Sequence, residues 1–300
     1  MAGDARQSVI VGVDGSPGSQ SAAHWAAEFA VRHTVPLRCV YGYDLPFLTY
    51  AQTDELGDVE EVHEQIRAQG RRVLTSIQHE LRQAYPDLIE VWSRLTPGGG
   101  ASVLIEESRH ALATVVGARG GGGFAHLLLG SVADQITAHG FGPIIVVREQ
   151  NATGPILVGV DGSEHAARAL AFAVAEATVR DADLIVVHAY TEVLRPRTDD
   201  PEREGLDAAL RLLADTVEPH LATHPPPRIQ TQAVYSGRVE QAMIDASTGK
   251  TLTVIGCRGQ GGLSGALMGS TCRDASCAQS RSRHPLTRVP SRYATTSAAL

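Results

Sequence analysis

Residues 11–20 read VGVDGSPGSQ, and residues 158–167 read VGVDGSEHAA. In each, an apolar run stops at Asp-Gly-Ser and a helix-forming segment follows. Glycine supplies the tight turn, and Ser16 or Ser163 stands where a hydroxyl caps a helix. One copy is an ordinary way to begin an α/β unit. Two copies in a chain of 300 residues point to a duplication.

The match widens in both directions. SVIVGVDGS at 8–16 aligns with PILVGVDGS at 155–163, an offset of 147, and VVGARGGGGFAHLLLGS at 115–131 aligns with VIGCRGQGGLSGALMGS at 254–270, an offset of 139. The second half is therefore eight residues shorter between the two matches. EQNATG at 149–154 reads as the linker, which sets the expected domains at 1–150 and 151–300.

Each half alternates strand and helix patterns, the signature of a parallel sheet covered on both faces. Expected strands are Val9–Val13, Leu37–Gly42, Ile89–Leu95, Ala113–Gly117 and Pro143–Val147, then Ile156–Val160, Leu184–Ala189, Ile229–Tyr235 and Thr251–Gly256. Ala22, Trp25, Ala26, Phe29 and Ala30 recur at helical spacing, as do Val62, Ile66, Val73, Ile77 and Leu81, and Val103, Leu104 and Ala111 suggest a third helix. The expected architecture is two tandem open parallel sheets of five strands, order 3-2-1-4-5, flanked by helices.

Composition narrows the function classes. With 43% apolar and 20% charged residues the chain has the balance of a globular protein, and no apolar window reaches the length of a membrane helix. A net charge of −7 argues against a general nucleic-acid or anionic-membrane surface. The first residues lack the pattern of a secretory signal, so a cytoplasmic location is expected. Cys39, Cys257, Cys272 and Cys277 fit neither a disulfide framework nor a zinc spacing, and His63-Glu64 has Arg67 where a second zinc-binding His belongs. No metal site is expected.

The chemistry concentrates in glycine-rich stretches. Gly117, Gly120, Gly130 and Ser131 recur in the second half as Gly256, Gly259, Gly269 and Ser270 at the same spacing. Glycines after a fourth strand allow a sharp turn and close backbone approach, and a Gly-Ser pair opening a helix presents N–H groups to an anion. The spacing is neither a Walker A loop nor GxGxxG after the first strand. In order 3-2-1-4-5 the ligand crevice lies beyond the strand ends where the order reverses, so Asp14 and the loop after Gly117 are expected to face one another across it.

This combination resembles the ATP-binding members of the universal stress protein family, which carry G-x2-G-x9-G-[ST] after the fourth strand and Asp at the end of the first. The resemblance covers residues 8–271 in tandem. It implies that Asp14 lies at the adenine and ribose end, that Val40 lines the adenine pocket, and that Gly117, Arg119, Gly120, Gly130, Ser131 and Val132 follow the ribose and phosphates. The second-half counterparts are Asp161, Val187, Gly256, Arg258, Gly259, Gly269 and Ser270, with Thr271 in place of Val132.

Simpler readings stand beside these. Asp14 serves equally as a turn former, Arg119 and Arg258 as solvated loop residues, and Val40 and Val187 as buried strand residues. His126 has Ala266 as its counterpart, and no general base is evident, so no catalytic residue is assigned. The expected function is ATP binding by a stress-linked regulator, any Mg²⁺ arriving with the nucleotide. Two alternatives remain: a slow ATPase or nucleotidyl-transfer enzyme, and an interaction protein that binds no nucleotide.

The second half departs after Ser270. TCRDASCAQSRSRHPLTRVPSRYATTSAAL has five Arg, one acid and no counterpart to the apolar run Ile144–Val147. A missing fifth strand, an aberrant or disordered end from about 271 and a weaker second site are therefore expected. The resemblance also implies pairing of domains or subunits through fifth strands, which makes a homodimer or another protein partner an expectation.

Overall fold

The computed structural model describes residues 7–44, 59–120, 129–148, 154–191, 200–221, 228–256 and 286–289. The chain forms two compact units, 1–140 and 141–300. Strands β1 (Ser8–Gly12), β2 (Leu37–Tyr43), β3 (Val91–Pro97), β4 (Ala111–Gly117) and β5 (Ile144–Val147) alternate with helices α1 (Pro17–His33), α2 (Val59–Ala84), α3 (Gly100–Glu107) and α4 (Ser131–His139). The first sheet has the order β3-β2-β1-β4-β5, with β1 parallel to both β2 and β4.

The second half repeats the plan with β6 (Ile156–Gly159), β7 (Leu184–Tyr190), β8 (Ile229–Tyr235) and β9 (Leu252–Gly256), interleaved with α5 (Glu164–Val179), α6 (Pro201–Leu221) and α7 (Val239–Ser247). These strands run in the order β8-β7-β6-β9, all parallel. Among the described residues this sheet has no apolar fifth strand like IIVV. Four residues of the tail, β10 (Leu286–Val289, LTRV), lie parallel to β9.

The reasons for these elements are local. Ser16 caps α1, its Oγ accepting from the Ser19 N–H at 3.2 Å, and proline occupies the first turn, where its missing N–H costs nothing. Thr34, with φ 54°, ends the helix in the left-handed conformation. The face of α1 turned to the sheet is mostly alanine, with Trp25 and Phe29 buried among them. Small side chains allow α1 to lie close to β1 and β4. In α2, Leu74, Ile77 and Leu81 are buried, while Glu60, Glu64, Arg67 and Arg71 pair along the exposed face.

Most strand boundaries differ by one or two residues from those read off the sequence, and two of the shifts have a clear physical reason. Ala111 was expected in the third helix; a 3₁₀ turn over Ser108–His110 separates the two elements, and Ala111 opens β4 opposite Ser8. Ile89 was expected to open β3, but it lies outside the strand and is half exposed. An apolar side chain needs the sheet to bury it, and at position 89 the sheet has not begun.

Leu81 is fully buried, so Leu81→Ala should cost about 2–5 kcal/mol and Ser16→Ala about 1 kcal/mol. Urea unfolding followed by circular dichroism measures both.

Candidate functional site

The site grows from the carboxyl end of β1. The Val13 N–H donates to the Val40 carbonyl at 2.9 Å, extending the β1–β2 ladder just past the strand. The chain then turns. Asp14 Oδ1 accepts from the Ser16 N–H at 2.9 Å, Gly15 takes φ +83°, and the Asp14 N–H donates to Ser19 Oγ at 3.2 Å. The aspartate is thus a turn former. The second copy builds the same turn: Asp161 Oδ1 accepts from the Ser163 N–H at 3.0 Å, Gly162 has φ +76°, and the Val160 N–H donates to the Val187 carbonyl at 2.9 Å.

The other carboxylate oxygen of Asp14 points elsewhere. A Cβ built on Gly120 would lie 2.6 Å from Asp14 Oδ2. Two segments more than a hundred residues apart therefore meet at van der Waals range, and they do so because position 120 carries no side chain. Gly117 is constrained more tightly still, since a Cβ there would come within 2.6 Å of the Gly18 backbone at the start of α1. Gly256 has the matching place, 2.9 Å from the His165 backbone at the start of α5.

The loop after β4 is tied at both ends. The Gly130 N–H donates to the Ala118 carbonyl at 2.8 Å, and Gly130 also approaches Arg119 and Gly120. Gly130 is the N-cap of α4 and offers no side chain to its amides; exposed Ser131 is the first helical residue and makes no capping hydrogen bond. Val132, half buried, reaches toward Gly100 at the start of α3. Arg119 is exposed at the rim.

Val40 and Val187 are buried, and their carbonyls accept from the Val13 and Val160 N–H groups, each one residue before the aspartate of its turn. Arg258, Gly259, Gly269 and Ser270 lie outside the described residues, as do His126, Leu127 and Leu128. Sequence reasoning passed over Gly98, Gly99 and Gly100, although the run TPGGG was visible. Gly98 takes φ +122°, and a Cβ on Gly42 would lie 2.8 Å from Gly100 Cα, so this turn too depends on close backbone approach. It passed over a groove of about 270 Å³ as well, between the Asp14 turn with the start of α1 (Val13, Gly15, Ser19, Gln20) and the polar side chains Gln69, Arg72, Ser76 and Glu80 of α2. His24 closes that side by linking Glu80 (Nε2 to Oε1, 2.6 Å) and the Tyr85 hydroxyl (Nδ1, 3.2 Å).

Chain-length comparison now decides the lineage. The universal stress protein family model matches twice, at residues 5–148 and 153–275. The chain belongs to the universal stress protein family. Universal stress protein Rv2623 of Mycobacterium tuberculosis is 30% identical over 285 residues, covering 89% of this chain and 92% of that protein. Universal stress protein Rv2005c of the same organism is 30% identical over 281 residues, covering 87% and 90%. Among solved structures, a universal stress protein from Archaeoglobus fulgidus superposes with a TM-score of 0.70 over 94% of this chain and 98% of that one, at 18% identity, a likeness of fold. In this chain, as a tandem universal stress protein, the described residues hold no group of His, Cys, Asp and Glu able to bind a metal and no helix long and apolar enough to cross a membrane.

Two consequences are measurable. Gly117→Ala forces a methyl group into backbone and should destabilise the first half by about 1–3 kcal/mol, read from its thermal unfolding. Burial pushes the Cys39 thiol up to about 12, Arg82 opposing this only weakly. Cys39 should therefore resist iodoacetamide at pH 8 in the folded protein and react once it is unfolded, as peptide mass mapping would register.

Proposed function

We propose that the first half binds an adenine nucleotide, ATP in the first instance, in the cleft bounded by the Asp14 turn, the loop from Gly117 to Gly120 and the start of α4. The single observation that carries this reading is the approach of Asp14 Oδ2 to Gly120, at a point where any side chain would fill the space. Glycines at 120 and 130 leave room, and the first amides of α4 meet no side-chain cap. The uncapped start of α4 adds the positive end of a helix dipole, suited to phosphate. Asp14, whose Oδ1 accepts from the Ser16 N–H and whose Oδ2 approaches Gly120, offers a carboxylate to which a ribose hydroxyl would donate.

Within this reading the residues bind and orient, and none is assigned to bond cleavage. Gly117, Gly120 and Ser131 supply backbone or hydroxyl contacts to phosphate, Gly130 leaves room for it, Arg119 supplies charge beside it, and Val132 supplies apolar contact. Any Mg²⁺ accompanies the phosphates. The function is regulatory, with nucleotide occupancy as the signal in a stress response. The second half holds the same turn at Asp161 and the same close packing at Gly256, and it is the weaker site.

Isothermal calorimetry with Gly130→Asp is the test. Gly130 has φ −71° and a Cβ there meets nothing nearer than 3.4 Å, so aspartate fits the fold and the measurement reads the charge. Each lost charge-assisted hydrogen bond is worth about 1.5–3 kcal/mol, which makes the expected weakening tenfold or more. Unchanged ATP affinity in Gly130→Asp, or no ATP binding by the unaltered protein, overturns the assignment. Steady phosphate release that disappears in Asp14→Ala would move the reading to an ATPase.

A further inference from the structure

The groove of about 270 Å³ between the start of α1 and α2 takes no lining residue from the loop after β4 or from α4, so it is distinct from the cleft proposed for a nucleotide. Two rows of α2 side chains line it at helical spacing. Val73 and Ile77 make an apolar floor with Val13; Ile77 and Val13 are buried, and Val73 lies against the Asp14 turn, where a Cβ on Gly15 would meet its Cγ2 at 3.1 Å. Beside this floor Arg72, Ser76 and Glu80 follow one another, each four residues after the last.

The ends of that polar row carry opposite charges which the protein does not bring together. Arg67 and Arg71 pair with Glu60 and Glu64 on the exposed face of α2. Arg72, one residue further on, has no carboxylate partner among the described residues, and its Nη2 donates to Gln69 Oε1 at 2.9 Å. Glu80 is met by no Arg or Lys among them. His24 Nε2 stands 2.6 Å from its Oε1, with the Tyr85 hydroxyl 3.2 Å from Nδ1. An imidazole that accepts from Tyr85 at Nδ1 and donates from Nε2 holds the carboxylate in place and leaves its negative charge uncancelled.

We infer that this groove binds a linear ω-amino acid, its carboxylate on Arg72, its ammonium on Glu80 and its methylene chain over Val73 and Ile77. Eight residues of helix separate the two ends by about 12 Å. A charge-assisted hydrogen bond of about 2.8 Å at each end leaves about 6 Å for the ligand's own charge separation, the span of a five-carbon chain. An inorganic anion would satisfy Arg72 alone and a simple amine Glu80 alone, and neither would use both ends and the floor. The volume lies below the roughly 300–1,000 Å³ of sites for drug-sized ligands, which selects a small molecule over a peptide segment.

Isothermal calorimetry on the full chain with 5-aminopentanoate tests the site. The unaltered protein should bind it, and Arg72→Gln, a change at an exposed position, should weaken binding about tenfold or more. Arg71→Gln, the neighbouring arginine that points to Glu64, should leave it unchanged. Because Glu80 also anchors His24, its end is tested from the ligand: pentanoate, which lacks the ammonium, and pentylamine, which lacks the carboxylate, should each bind about tenfold or more weakly. No binding of 5-aminopentanoate by the unaltered protein, an unchanged affinity in Arg72→Gln, an equal loss in Arg71→Gln, or pentanoate or pentylamine binding as tightly as the amino acid overturns the inference.

Discussion

The first half rests on the contact between the end of β4 and the first turn of α1, where the backbones of Gly117 and Gly18 approach so closely that neither tolerates a side chain without rearrangement. A helix start pressed against a strand end fixes where the Asp14 turn stands relative to the loop that leaves β4. The alanine face of α1 continues the same approach along the sheet. Close packing of this kind has little give, because protein interiors transmit strain rather than absorb it. The recurrence of the contact at Gly256 and the backbone of His165 shows that it belongs to the duplicated unit and not to one lobe.

Much of this was legible in the residues. Strands rich in Val and Ile between helical periodicities point to a parallel sheet, and the order 3-2-1-4-5 is the one that sets the repeated Asp opposite the repeated glycines at a switch point. The meeting of Asp14 with the glycine loop was legible too, since topology alone brings a first and a fourth strand side by side. What the residues did not announce was how each atom is used. That one oxygen of Asp14 accepts within its own turn while the other approaches Gly120 depends on a few ångströms of backbone placement. Val40 shows the converse: it lies in the middle of β2, which runs on to Tyr43, its carbonyl accepts from the Val13 N–H and its side chain is buried. The start of β4 was misread because Ala111 suits either element, and only its pairing with Ser8 decides between them.

The two halves have kept different parts of the shared plan. Turn geometry at Asp161 matches that at Asp14 within a tenth of an ångström in the hydrogen bond from Ser163, whereas the strand beside β9 is LTRV where the first half has IIVV. Features held by one short hydrogen bond survive replacement of distant segments. Features that need a continuous apolar strand do not, because each lost branched side chain removes contacts from both faces of the sheet.

The tie between the Gly130 N–H and the Ala118 carbonyl acts as a clasp at the neck of the loop. A bond that joins position 118 to position 130 directly holds the start of α4 beside the end of β4 with eleven positions bypassed between them. The crossing from strand to helix is thereby set by one backbone contact and not by the sequence of the intervening residues.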